Sequence, residues 1–294
     1  MKYLDPKADL TLKKVFGEHP DLMVSLLNAL LPLAPGQEIT AIEYLPWEIV
    51  PENPLRKNTV IDVCCRDKEG KQFLAEVQMI WSSEFNQRVL LNASNAYVYQ
   101  IGKRKDYELL QPVYSLNLTN EIFEPELEGY YHYYQMVHMG NSNKVIDGLQ
   151  LIFIELPKFI PHTYSEKKMH VLWLRYLTEI NEKTVEIPGE LLANTEVNKA
   201  VKELEVSAFT PAQLSGYEKF WDIISVEKTL LNSAERRGFA KGLEKGLAKS
   251  KEEGEKKKQQ EITRKIARKM KAKGFSTEDI IDLTSLAAEE VVSL

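Results

Sequence analysis

The spacing of apolar and polar positions changes period several times along the chain, and each change marks an element. Leu12, Val15, Phe16, Leu22, Met23, Leu26, Leu27 and Leu30 recur at helical spacing and predict a helix over Leu10 to Leu31. Pro20 should split it, with Glu18-His19 as the joint, because proline has no N–H and clashes with the preceding turn. Asp9 stands where an N-cap would. Pro32 to Gly36 reads as a loop, and Ile39 to Val50 as one or two strand segments, the second held to a sheet edge by Pro46. Pro51 to Asn58 is a second loop. The alternation then becomes two-residue. Val60 to Cys65 and Phe73 to Gln78 are β-rich runs flanking Asp67-Lys68-Glu69-Gly70, and together they predict a hairpin. A three-residue loop, Lys68 to Gly70, puts Gly70 in the left-handed position of a bulged turn. Asp67 then pairs with Lys71, which sets Asp62 opposite Glu76 and Val60 opposite Gln78. All four lie on one face, with Ile61, Val63, Ala75 and Val77 on the other.

Beyond the hairpin, Met79 to Trp81 should finish the second strand, and Phe85 to Tyr99 has helical spacing. Gly102 to Asp106 reads as a basic turn, Pro112 to Leu118 as a strand and Glu124 to Gly129 as an acidic loop. Tyr130 to Met139 reads as an aromatic strand, Asn141 to Asn143 as a turn, and Leu149 to Leu156 as an apolar strand ended by Pro157. Helical spacing follows over Met169 to Ile180, Leu191 to Val206 and Ala212 to Asn232, with Ser165 and Thr210 as caps and Pro211 at a first helical position. Strands joined by crossover helices argue for an α/β fold. The tail differs. Gly238, Gly242 and Gly246 recur every fourth residue beside Phe239, Leu243 and Leu247. Each glycine costs a helix roughly 1 kcal/mol relative to alanine, so either close helix packing or a flexible arm would account for them. Gly254 to Lys258 is a charge run. Helical segments are expected over Glu261 to Lys271, Glu278 to Leu283 and Leu286 to Val292, with Gly274-Phe275-Ser276 as a stop and cap. The expected domains are 1–233, a charged Gly/Lys-rich helical linker 234–260, and a small helical module 261–294.

Composition narrows the class. The 294 residues are 44% hydrophobic and 28% charged, as in an ordinary soluble protein. No run of 18 apolar residues offers a membrane span, and the N-terminus lacks a signal-peptide core. Cys64 and Cys65 are adjacent, so they cannot staple distant segments, and a cytoplasmic location is expected. No histidine pair has metal-ligand spacing. The net charge of −5 is unevenly spread: residues 235–271 carry +8, which leaves −13 on the rest. A basic arm on an acidic body reads either as a nucleic-acid contact or as a solvated charged helix.

The candidate chemistry lies in the hairpin. Directly opposed residues have Cβ atoms about 4.5–5.5 Å apart, where like charges repel. Asp62 and Glu76 among apolar neighbours therefore read either as ligands of a hard divalent cation, Mg²⁺ or Mn²⁺, or as incidental acids on a solvated hairpin. Arg88, one turn into the following helix, reads either as a phosphate-binding guanidinium or as a surface partner of Glu84.

Asp62 followed by Glu76-Val77-Gln78 resembles the Asp…(Asp/Glu)-x-Lys signature of the PD-(D/E)XK nuclease superfamily, with Gln78 where lysine is usual. Asp9-Leu-Thr-Leu-Lys-Lys-Val-Phe-Gly17, Arg88, Ala96-Tyr97, Pro112-Val-Tyr114 and Glu155-Leu-Pro-Lys-Phe159 follow in order. This set resembles the recombination-promoting nuclease (Rpn) branch, also described as PD-(D/E)XK nuclease family transposases, over roughly Met1 to Trp221. The resemblance implies a restriction-endonuclease-like mixed sheet flanked by helices, and a Mg²⁺- or Mn²⁺-dependent DNA endonuclease. It implies Asp62, Glu76 and the Val77 carbonyl as metal ligands, Gln78 as a catalytic residue, and Asp9 and Arg88 as accessories. DNA is then the partner, with a link to recombination or mobile elements. The other reading is a catalytically silent nuclease fold that binds DNA or protein. The three-helix ending has the size of a helix-turn-helix, and packing between copies into a homo-oligomer is its other reading.

Overall fold

The computed structural model describes residues 2–45, 48–49, 59–60, 62–100, 107–161 and 168–294. Helix α1 (Asp9–Leu12) runs into a single π turn (Lys13–Gly17), and α2 (Pro20–Leu30) opens with Pro20 as its first residue, where the missing N–H costs nothing. The break at Glu18-His19 therefore falls as the sequence predicts. Asp9, however, is not the N-cap. Ala8 takes that place in an extended conformation, and Asp9 is the first helical residue, pairing with Lys13 Nζ one turn on at 2.7 Å.

Strand β1 (Ile42–Tyr44) joins the main sheet, while β2 (Glu48–Ile49) and β3 (Thr59–Val60) pair only with each other. The run expected over Val60 to Cys65 is thus interrupted: β4 (Val63–Asp67) starts three residues after β3 ends, with Asp62 at a bend. Val60 lies opposite Glu48 rather than Gln78. Ile61, Pro46 and the expected Pro51 to Asn58 loop lie outside the described residues, as do the Gly102 to Asp106 turn and the Ser165 cap. From Val63 onward the hairpin with β5 (Gln72–Gln78) has the predicted register, Val63 opposite Ala75 and Cys65 opposite Phe73. Gly70 has φ 90° in the turn, and Asp67 Oδ1 accepts the N–H groups of Glu69 and Lys71, each at 2.9 Å. Strand β5 ends at Gln78, so Met79 to Trp81 is not strand.

Helix α3 (Phe85–Tyr99) matches its expected limits and crosses over to β6 (Val113–Thr119), parallel to β5. Strands β7 (Tyr131–His138) and β8 (Asn141–Glu155) form a hairpin that reverses at Met139-Gly140. Asn141 to Asn143, expected as a turn, already belong to β8, because pairing with β7 draws polar residues into the ladder. Among the described residues the main sheet has the order β1-β4-β5-β6-β8-β7, parallel at its centre and antiparallel towards both edges.

Helices cover both faces. On one, α2 packs with α4 (Lys168–Glu179), the short α5 (Gly189–Leu192) and α6 (Thr195–Glu203). The helix expected over Leu191 to Val206 is therefore two, split at Asn194, whose side chain caps α6 by accepting the Val197 N–H at 2.9 Å. Trp173 of α4 is fully buried there, and its Nε1–H donates to Ser25 Oγ at 3.1 Å. On the other face Cys64 and Leu74 meet Ala93 and Ala96 of α3. Helix α7 (Pro211–Ala272) begins with Thr210 and Gln213 capping one another, Thr210 N–H to Gln213 Oε1 at 2.9 Å and Gln213 N–H to Thr210 Oγ1 at 3.3 Å.

The chain forms two compact units, Met1–Ser225 and Val226–Leu294. In the second, α7 continues through the charge run without a break at Gly254 to Lys258. Lysine, glutamate and glutamine are good helix formers, and Lys256–Glu252 and Lys265–Glu261 pair one turn apart. Gly274, at φ 86°, ends this stretch, and Ser276 caps α8 (Thr277–Thr284). Helix α9 (Ala288–Ser293) packs with it around Ala267, Ile280 and Val291. Among the described residues no helix is long and apolar enough to cross a membrane.

Candidate active site

The site forms where β4 bends away from β5. Asp62 precedes the ladder, so its carboxylate turns to the β5 edge, where Oδ2 accepts the N–H of Val77 at 2.8 Å. In an antiparallel strand a residue's N–H and C=O point to the same side, so the Val77 carbonyl also faces the Asp62 side. Glu76 and Gln78 project onto the face that α3 covers, since they lie two and four residues beyond Leu74, which meets α3. Arg88, in the first turns of α3, reaches back to the sheet. Its Nη2 donates to Glu76 Oε1 at 2.6 Å and to Gln78 Oε1. The Gln78 amide donates in turn to the Ile80 carbonyl. Arg88 thus contacts the two candidate side chains of β5, Glu76 and Gln78, and its guanidinium stands 5.0 Å from the centre of the Phe85 ring.

Burial dominates the electrostatics. It pushes the Asp62 carboxyl up to about 7, with Glu76 and Asp9 adding repulsion and the Val77 N–H and Lys13 opposing it. Burial also raises Glu76, against the neighbouring Arg88 charge. Asp9 and its ion-pair partner Lys13 therefore both lie within electrostatic range of Asp62. Lys13 reaches the site through its i,i+4 spacing from Asp9. Among the described residues no three His, Cys, Asp or Glu side chains gather around one point. The arrangement is a pair of carboxylates with a backbone carbonyl beside them.

The raised Asp62 value has a consequence for stability without divalent metal. A carboxyl raised on folding stabilises the fold fully below its unfolded value near 4, and that contribution is lost as pH rises through about 7. Thermal melts in EDTA should therefore show an Asp62-dependent fall in Tm between about pH 4 and about pH 7, absent in Asp62→Asn. Equal pH slopes for the two proteins would contradict the burial of a strained charge.

Glu155 forms a separate acidic centre at this end of the sheet. Glu155 lies in the same row as Gln78 and Thr119, two strands over and so about 10 Å away. It is fully buried and accepts from Phe123 N–H at 2.5 Å and Glu124 N–H at 3.0 Å. It also contacts His132 Nε2 at 2.9 Å and Lys158 Nζ at 2.5 Å. Burial pushes its carboxyl up, but the hydrogen bonds from Glu124, Lys158, His132 and Phe123 outweigh this and leave it below the ordinary value. Lys158 also donates to the carbonyls of Glu124 at 2.5 Å and Leu127 at 2.6 Å. The Glu155-Leu-Pro-Lys-Phe159 segment thus anchors the loop before β7, where Phe123 stacks on Trp81 at 4.4 Å.

The comparisons agree with this architecture. A family model described as PD-(D/E)XK nuclease family transposase matches residues 6–234, which include both sides of the β4–β5 hairpin, α1 and α3. No curated protein and no solved structure matches the chain. The match spans most of the sequence, and it falls on a mixed sheet with two carboxylates at the β4–β5 bend: the chain belongs to the PD-(D/E)XK nuclease family transposases.

Proposed function

We propose that the protein is a Mg²⁺- or Mn²⁺-dependent DNA endonuclease, in which Asp62, Glu76 and the Val77 carbonyl hold the ion. The observation that carries the reading is the pair of carboxylates held in a buried site that disfavours their charge. Such a donor set suits Mg²⁺, which binds through one or two carboxylates and keeps several waters. When bound, the ion polarises a phosphoryl oxygen and acidifies a bound water. Gln78 would orient an attacking water through its amide. Gln78 has no charge, so Arg88 supplies the cationic donor to the phosphate that lysine gives in the usual signature. Hydrolysis in the course of DNA recombination or mobile-element activity, inside the cytoplasm, fits this chemistry. Incubation of supercoiled plasmid with the purified protein tests it: nicked or linear product with Mg²⁺ and none with EDTA is expected, and intact plasmid under both conditions would reject endonuclease activity.

One observation favours a second reading, a silent nuclease fold that binds DNA or protein: Arg88 already offsets the charge of Glu76 without an ion. That reading requires no metal affinity at Asp62 and Glu76.

The basic stretch 235–271 would strengthen DNA binding by releasing condensed counterions. A chain ending near Ser233 keeps the cluster of Leu4, Ala8, Phe209 and Tyr217 that the start of α7 completes. It is expected to stay folded, to bind nonspecific DNA more weakly, and to show a shallower slope of log K against log salt. An unchanged slope would reject the arm as a DNA contact.

A further inference from the structure

Gln78 is the last residue of β5. The chain then leaves the sheet through residues 79–84, which have no regular structure, before α3 carries Arg88 back over the site. Within this connector one peptide unit, Ile80–Trp81, is held from both sides. Its C=O accepts the side-chain amide N–H of Gln78, and its N–H donates to Glu121 Oε2 at 2.9 Å. A peptide unit is planar, so the carboxylate that fixes the direction of the N–H also fixes that of the C=O. The direction of the Gln78 amide follows, because a carbonyl only accepts and a guanidinium only donates. Nε2 must face Ile80 and Oε1 must face Arg88, as they do. A line of contacts thus runs from Glu121 through one peptide plane to Gln78 and Arg88.

Glu121 is itself held in place. It lies half-buried in the irregular segment between β6 and β7. That segment is tied to β5 at its start, where the Asn120 N–H donates to the Gln78 carbonyl at 2.9 Å. Two residues beyond Glu121, Phe123 stacks on Trp81 with planes 15° apart and packs with Phe85 and Phe153. The backbone N–H groups of Phe123 and Glu124 both end on the buried Glu155 carboxylate. Glu121 therefore acts from a fixed position on both sides.

We infer that Glu121 is a positioning residue of the candidate site, orienting Gln78 through the Ile80–Trp81 peptide rather than acting on the ion or the DNA. The inference rests on the endonuclease reading and adds to it a residue outside the Asp62, Glu76 and Gln78 set. If Glu121 only anchored its loop, losing it would lower the Tm and leave the rate of the folded protein unchanged.

Glu121→Gln and Glu121→Ala separate the hydrogen bond from the charge. Glutamine keeps an acceptor at the same reach, and alanine removes both acceptor and charge. Hydrogen exchange of residues 79–84 in the full chain, followed by mass spectrometry, reads the contact itself. The Trp81 N–H should stay protected in the parent and in Glu121→Gln, and exchange faster in Glu121→Ala. Single-turnover cleavage of plasmid with Mg²⁺ should slow by about 10²-fold in Glu121→Ala, the loss expected when a group is misplaced by about 1 Å from a distance. The half-saturating DNA concentration should not change, and Glu121→Gln should cut at close to the parent's rate. Mn²⁺ binding should be the same in all three proteins. Glu121→Leu, which fills the space without an acceptor, takes the place of the alanine variant if that one does not fold. The parent's rate in a folded variant lacking the acceptor, or Glu121→Gln as slow as Glu121→Ala, would overturn the positioning role. A parent protein that leaves plasmid intact would reject the endonuclease reading instead. Exchange then decides alone, and equal exchange at Trp81 in the parent and Glu121→Ala would overturn the hold on the peptide.

Discussion

Asp62→Ala is expected to abolish Mg²⁺-dependent DNA cleavage, by about 10³-fold or more, equivalent to roughly 4 kcal/mol of transition-state stabilisation. The chain should remain folded. Two effects on its stability oppose each other. Alanine removes a carboxylate whose charge is disfavoured by burial and by Glu76, but it leaves the Val77 N–H without its acceptor, a cost of about 1–3 kcal/mol for a buried donor. These nearly cancel, so the Tm in EDTA should stay close to that of the parent. Asp62→Asn keeps an acceptor and drops the charge, and its Tm in EDTA at neutral pH should equal or exceed the parent's. Cleavage assays and melts on both variants check this. Cleavage retained by a folded Asp62→Ala protein would remove Asp62 from the site.

Gln78→Ala is expected to lose most activity, about 10²-fold or roughly 3 kcal/mol. Gln78 holds Arg88 through its Oε1 and is itself held by the Ile80 carbonyl. Alanine therefore removes the water-orienting amide and frees Arg88 from one of its two acceptors. Gln78→Lys should stay folded and keep part of the activity. Its ammonium would stand beside the Arg88 guanidinium, and the Glu76 carboxylate, already paired with Arg88, would offset only part of the added charge. Single-turnover rates on plasmid DNA at saturating Mg²⁺ distinguish the variants, and wild-type rates for Gln78→Ala would leave Gln78 without a catalytic role.

The hairpin was legible because its signals are local. Two-residue alternation and a glycine suited to positive φ fix the register within a few residues, and Gly70 takes that conformation. The helix Phe85–Tyr99 was legible for the same reason. The bend at Asp62 was not, because nothing in Val60 to Cys65 interrupts the β pattern. The bend exchanges a strand for a carboxylate–backbone contact that only the folded β5 edge creates. The alternative partner of Arg88, Glu84, was a sound helix-surface expectation, and tertiary geometry overrode it by bringing Glu76 within 2.6 Å. The Glu155 network was hidden because its donors come from Phe123, Glu124, His132 and Lys158, residues joined only by the β7–β8 pairing and the loop before it. In the tail, the glycines read either as close helix packing or as a flexible arm, and α7 runs through them as one helix because the surrounding charged residues are good helix formers.

Asp62 and Glu76 are proposed to hold a divalent cation together. Binding of Mn²⁺, followed by the loss of its free-ion electron paramagnetic resonance signal, tests it without relying on cleavage. The account predicts saturable binding to the full chain, competed by Mg²⁺, and its loss in both Asp62→Ala and Glu76→Ala while each variant keeps a cooperative melt. Undiminished Mn²⁺ binding in either folded variant would contradict it.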